Sequence, residues 1–214
     1  MSSGSSAPDT RRHRKVALLR GINVGKGGRI AMRDLRACTE AAGGTAVTTV
    51  LATGNVLVTD PRPVSELRAA LEAAYAERFG YGAVVQVVTL DSLSAAVAAY
   101  PFDTLEEHHD YVVFSDDPVV TTRVTQAMRA AIEGAALEAG AEAINGETDA
   151  AGHASDLAVA GTEAVAEGPG CVYWRVAKGS TLSSDAAKVL DRRDNKRHLT
   201  TRNVRTLTRI LAAG

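Results

Sequence analysis

The chain has 214 residues, of which 45% are hydrophobic, 23% charged and 4% aromatic, and a formal net charge of -1. That length buries a sizeable core in one large domain or two small ones. The near-neutral charge excludes a strong whole-protein field for nucleic acid, and the scarcity of rings leaves few stacking platforms. The two cysteines, Cys38 and Cys171, sit in no CxxC pair, which excludes a disulfide framework and a Cys-rich zinc site. They read as buried, reduced thiols of a cytoplasmic protein. No apolar run has the length needed to span a membrane, and no membrane partner is expected.

Residues 1–15, MSSGSSAPDTRRHRK, read as a disordered basic arm. The apolar VALL that follows is stopped at once by Arg20, so no secretory h-region forms. Val16 to Leu19 is a short buried strand, and the glycine-rich LLRGINVGKGG follows it. Met32, Leu35, Thr39 and Ala42 recur at helical spacing until Gly43-Gly44. Val47 to Leu51 and Val56 to Thr59 are β-rich, with Thr53-Gly54-Asn55 as a tight turn between them. Pro61 and Pro63 lead into a helix carrying Val64, Leu67, Leu71, Ala74 and Phe79 on one face, and GAVVQVVTL is a further strand. Residues 16–90 therefore run β-α-β-β-α-β, the ferredoxin-like order, which predicts an antiparallel sheet with both helices on one face. A short helix over Asp91 to Tyr100, capped by Asp91 or Ser92, ends this half.

The second half opens with a strand, Tyr111 to Phe114, and a long helix with Val120, Val124, Met128, Ile132 and Ala135 in step. Ala143 to Ala151 reads as loop and Asp156 to Ala160 as strand. CVYWRVAKG alternates, with Val172, Trp174 and Val176 on one side and Tyr173 and Arg175 on the other. Helical patterns return at Ser183 to Leu190 and at Arg202 to Leu211. The expected fold is α+β, with two ferredoxin-like halves of antiparallel or mixed sheet: residues 16–100, then a second α+β half over 101–214 that ends in the C-terminal helix.

VALLRGINVGKGGRIAMRDLR, VTTVLATGNVLVTD and the C-terminal LTTRNVRTLTRIL resemble the DUF1697 family, bacterial proteins of unknown function. The resemblance covers nearly the whole chain after the arm and implies an α+β fold of two ferredoxin-like halves. Three positions depart from the family pattern. Thr53 stands where Ser is usual before Gly-Asn, Val204 where Trp is usual, and Arg205 where Asn is usual.

Gly21 to Lys26 is one residue short of a phosphate-cradling GxxxxGK[ST] loop, and Gly27 stands where the metal-holding hydroxyl belongs. A GxGxxG dinucleotide fingerprint fits no better. What remains is Arg20, Gly21, Asn23 and Gly25 at a strand-to-helix junction. Arg20 interrupts an apolar strand, so it faces solvent, a carboxylate or a ligand. Asn23 either closes the loop through its backbone or joins that ligand. Gly54 and Asn55 serve the turn or the same site. Thr200, Thr201, Arg202 and Asn203 precede a helix, with Thr200 or Thr201 as its N-cap; such a terminus beside an arginine also suits an anion. Arg202, Arg205 and Arg209 fall on one helical face.

The expected function is binding of a small anionic or phosphorylated ligand in a cleft between the LLRGINVG loop and TTRN. The alternative is RNA binding through Tyr173, Trp174 and Arg175 on a sheet face and the basic C-terminal helix. His108-His109-Asp110 lacks HExxH spacing, and His153 with Asp149 and Asp156 reads as polar loop, so no metal and no cofactor are expected. There is no GxSxG elbow and no carboxylate pair to nominate, so no catalytic residue is assigned and enzyme activity stays open.

Overall fold

The computed structural model describes residues 13–23, 29–80, 82, 84–145 and 163–214, without the side chains of 138–145. Most of the expected arm, Gly25, and the strand expected at Asp156 to Ala160 lie outside the described residues. The chain divides into two compact units. One comprises the residues up to Ala99 together with Thr200–Gly214, and the other is Tyr100–Leu199. The C-terminal helix, assigned above to the second half, thus groups with the first.

The first unit runs β1 (Arg14–Leu19), α1 (Met32–Ala41), β2 (Thr45–Val50), β3 (Asn55–Thr59), α2 (Val64–Phe79), β4 (Val85–Thr89) and α3 (Leu90–Ala98). Its sheet is antiparallel in the order β2-β3-β1-β4, the arrangement the β-α-β-β-α-β reading predicts. Side chains alternate across each strand. Ala17 and Leu19 of β1, with Val56, Val58, Val85 and Val87, pack on Leu35 and Cys38 of α1 and Leu67, Leu71 and Tyr75 of α2. Val16, Leu18 and Leu57 point the other way and are equally buried. That face carries α3 and the last helix, α7 (Val204–Ala213), where Gly214 lies against Leu57 and Leu90.

Several boundaries differ from expectation, two of them for a visible physical reason. β1 begins at Arg14 rather than Val16, because Lys15 is buried along its stem while its ammonium donates to the Asp60 carbonyl. α3 is capped by Thr89, whose hydroxyl accepts from the Ser92 amide, rather than by Asp91 or Ser92.

The second unit runs β5 (His108–Ser115), α4 (Pro118–Asn145), β6 (Ala164–Gly168), β7 (Cys171–Ala177), α5 (Asp185–Asp191) and the single turn α6 (Arg193–Lys196); β8 (Leu199–Asn203) follows, and from Thr200 onward it belongs to the first unit. The second unit's strands β6, β7 and β5 lie side by side in the same relative order as β2, β3 and β1, with β7 antiparallel to both neighbours. Val113, Val172, Trp174 and Val176 pack on Val124 and Met128 of α4 and Val189 of α5. α4 continues through Ala143 to Asn145, where a loop was expected. TTRN, expected to open a helix, is the strand β8, which leads directly into α7.

One hydroxyl pair ties α1 to α2. Thr39 donates to the Leu35 carbonyl at 2.8 Å, so its oxygen accepts the Tyr75 phenol proton at 2.7 Å. Burial pushes the Tyr75 phenol up to about 12, so the folded state keeps a proton that the unfolded chain releases from pH 10 upward. The bond is fully present below pH 10 and is lost as pH rises through 12. Tyr75→Phe is expected to lower unfolding free energy by about 1 kcal/mol at pH 7. In urea denaturation across pH 8–12, the advantage of the parent over Y75F narrows above pH 10 and is gone by about 12.

Candidate functional site

The two Arg-Asn segments meet in the first unit, at the end of the sheet where β1 stops and β3 starts. β8 ends by turning Arg202 inward, leaving it 9% exposed. A guanidinium has five N–H donors and no acceptor. Here Nε donates to Asn55 Oδ1 at 2.6 Å, and Nη1 donates to Thr200 Oγ1 at 2.8 Å and the Thr201 carbonyl at 2.9 Å. Nη2 donates to the Leu19 carbonyl at 2.6 Å, with longer contacts to the carbonyls of Thr53 at 3.3 Å and Gly54 at 3.4 Å. All six acceptors are neutral, and no carboxylate among the described residues bonds it. Burial, followed by the nearby Arg20 charge, pushes Arg202 down to about 10, which leaves it charged at neutral pH.

The acceptors are held in turn. Asn55 is buried, and its amide donates to the Val50 carbonyl at 2.8 Å and Thr53 Oγ1 at 2.9 Å. The hydroxyl that Thr53 shares with serine is therefore the part of the residue this turn uses. Gly54 has φ +72°, and a Cβ there would stand 2.5 Å from Ile22 Cγ2 and 2.9 Å from Leu19 Cβ. Its carbonyl accepts the Leu19 amide at 2.8 Å. Only glycine lets the turn lie this close to the end of β1.

Arg20 follows Leu19 directly, is half-buried, and donates its amide to the Val84 carbonyl. Gly21 is exposed at φ +67°. Asn23 sits at φ 57° and clasps the loop. Its amide donates to the carbonyls of Ile30 at 3.0 Å and Ala52 at 3.2 Å, and its oxygen accepts the Ile30 amide at 2.8 Å. Of the two readings of Asn23, this is the loop-closing geometry. Asn203 caps α7, its oxygen accepting the Arg205 amide at 2.9 Å; the cap is not Thr200 or Thr201, which belong to β8. Arg202 likewise leaves the helical face expected for it, while Arg205 and Arg209 are exposed on α7.

The residues behind the RNA reading lie elsewhere. Tyr173 and Trp174 are each 2% exposed, Tyr173 edge-on to Tyr100 and Trp174 stacked on Tyr111, so neither ring offers a face for a base. His108, His109 and Asp110 lie along β5, where Asp110 accepts the Tyr100 hydroxyl at 2.8 Å. Among the described residues no three His, Cys, Asp or Glu side chains gather as metal ligands, and no helix is long and apolar enough to cross a membrane. Of the residues whose oxygens hold Arg202, sequence reasoning placed Gly54, Asn55, Thr200 and Thr201 at the site but not Leu19 or Thr53, whose acceptors are backbone carbonyls with no side-chain signature.

A family model described as "Protein of unknown function (DUF1697)" matches residues 13–144. The conserved bacterial protein SP0830 from Streptococcus pneumoniae is similar in structure, with a TM-score of 0.62 and 20% identity over 93% of this chain and 97% of that one. At that identity the likeness concerns the fold. A comparison with curated proteins gives no match.

Arg202→Lys removes the planar fork and leaves at least two buried acceptors without a donor. It is expected to lower unfolding free energy by about 3 kcal/mol in urea denaturation, despite keeping the charge. Gly54→Ala combines positive φ with overlap on Ile22 and is expected to cost about 3 kcal/mol or more by the same measurement.

Proposed function

The chain belongs to the DUF1697 family of proteins of unknown function, and within it we propose that this protein binds a small anionic or phosphorylated ligand beside Arg20, where LLRGINVG and TTRN meet. One observation carries the reading: Arg202 is a buried cation whose bonds all end on neutral oxygens, and a second arginine lies close enough to depress its pKa. A buried guanidinium charge held by neutral oxygens keeps a local positive potential that favours an anion. Arg202 has all its donors engaged, so it supplies field and position. Arg20, half-buried at the head of the loop, is the contact residue. Gly21 is exposed beside it, and Thr201 and Asn203 are half-buried on the opposite segment. The same reading sets the protein in the bacterial cytoplasm, in keeping with its two free, buried thiols, Cys38 and Cys171.

The test is a thermal-shift titration at low salt with pyrophosphate, glucose 6-phosphate and ATP, on the parent and on Arg20→Ala. The expected result is a saturable rise in Tm for the parent with at least one of these probes, absent in Arg20→Ala. No rise with any probe, or an equal rise in Arg20→Ala, contradicts the reading.

A further inference from the structure

The sheet face that carries Asn55 at one end ends in a cavity at the other. Thr59 lies four residues along β3 from Asn55, which is about 13 Å of extended chain. There Arg14, Ala46, Thr59, Leu90, Asp91 and Ser94 line a half-open pocket of about 540 Å³, with Leu211 of α7 on one side. That volume lies within the range of small-molecule sites.

The wall of this cavity is built around an arginine with donors to spare. Arg14 pairs with Thr59 across β1 and β3, and its side chain reaches over β3 to β2. Nη1 donates to the Ala46 carbonyl at 2.7 Å and to Thr59 Oγ1 at 3.4 Å. Nε and Nη2 have no partner among the described residues. Ala46 is held at φ 47°, in the left-handed region, where β2 shifts register against β3 between Thr45 and Thr48. An alanine adopts that conformation only when its surroundings impose it, and such strain gathers at ligand sites. The bulge delivers the Ala46 carbonyl to Arg14 and so fixes the guanidinium at the cavity wall. Across from it, Asp91 and Ser94 stand one turn apart on the exposed side of α3, and neither has a side-chain partner among the described residues. Leu90 and Leu211 supply the apolar surface.

We propose that this cavity is a second ligand site, for a small hydroxylated organic anion. The unused edge of Arg14 takes a carboxylate or phosphate in bidentate fashion. Asp91 and Ser94 take the hydroxyl groups, and Leu90 and Leu211 pack the carbon skeleton. The site lies at the far end of α7 from Arg20 and is independent of it.

The test is an amide NMR titration with L-malate and with glycerol 3-phosphate, which carry the two anionic groups on similar hydroxylated skeletons. Saturable shifts are expected at the amides of Ala46, Asp91 and Ser94 with at least one probe, and the probe that binds identifies the anionic group. Arg14→Gln is expected to weaken the dissociation constant at least about tenfold. Should Arg14→Gln disturb the bulge, Ser94→Trp fills the cavity from an exposed helix position and is expected to abolish the same shifts. Arg20→Ala leaves them unchanged, which separates this site from the one above. Absence of saturable shifts at these amides with both probes, or unchanged affinity in Ser94→Trp, overturns the proposal.

Discussion

The first unit depends on one buried cation. Taking a guanidinium out of water is costly unless every donor finds an acceptor, and Arg202 finds six oxygens, all on its own unit. The bond to the Leu19 carbonyl joins residues 183 apart in sequence. It brings the last segment of the chain to the end of β1 and to the turn before β3. Asn203 then starts α7 at that point, and the helix runs over Leu57 toward Gly214. The position of the C-terminal helix is thus set at its first residue by an arginine that bonds no carboxylate among the described residues.

The same arrangement gives the region its chemical character. A buried ion pair would cancel its own field, whereas a guanidinium satisfied by carbonyl, amide and hydroxyl oxygens does not. Arg20 adds to that field and lowers the proton affinity of Arg202 further. In the proposed site the two arginines take different parts. Arg202 is fixed by its oxygens, and Arg20 stands half-buried at the head of a loop that Asn23 holds closed. α7, at about 15 Å long, separates this end of the sheet from the cavity at Arg14.

Much of the fold was legible in the sequence, because apolar spacing reports burial directly. Leu35 and Thr39, Leu67 and Leu71, and the alternation of Val172, Trp174 and Val176 all face the cores their periods predict. The strand β8 was not legible. Leu-Thr-Thr-Arg-Asn has no apolar alternation, and hydroxyls ahead of a helical pattern look like a cap. The true cap is Asn203, one residue before the helix. Tyr75, a central residue between α1 and α2, was hidden because the face was read through Ala74 and Phe79. The arginine motif stood out as unusual, but its role did not, since the oxygens that hold Arg202 belong partly to the backbone. The cavity at Arg14 had no sequence signal either. Its wall includes Ala46, where β2 shifts register, an alanine in a conformation no propensity would suggest.

The division of roles between the two arginines is open to direct observation through the Nε–Hε resonances of the arginine side chains, followed by NMR during a pyrophosphate titration. The expected result is that the Arg202 resonance is protected from solvent exchange in the free protein and stays so throughout, while that of Arg20 shifts and saturates. Rapid exchange of the Arg202 Nε–Hε in the free protein, or a saturating shift at Arg202 with none at Arg20, would contradict it.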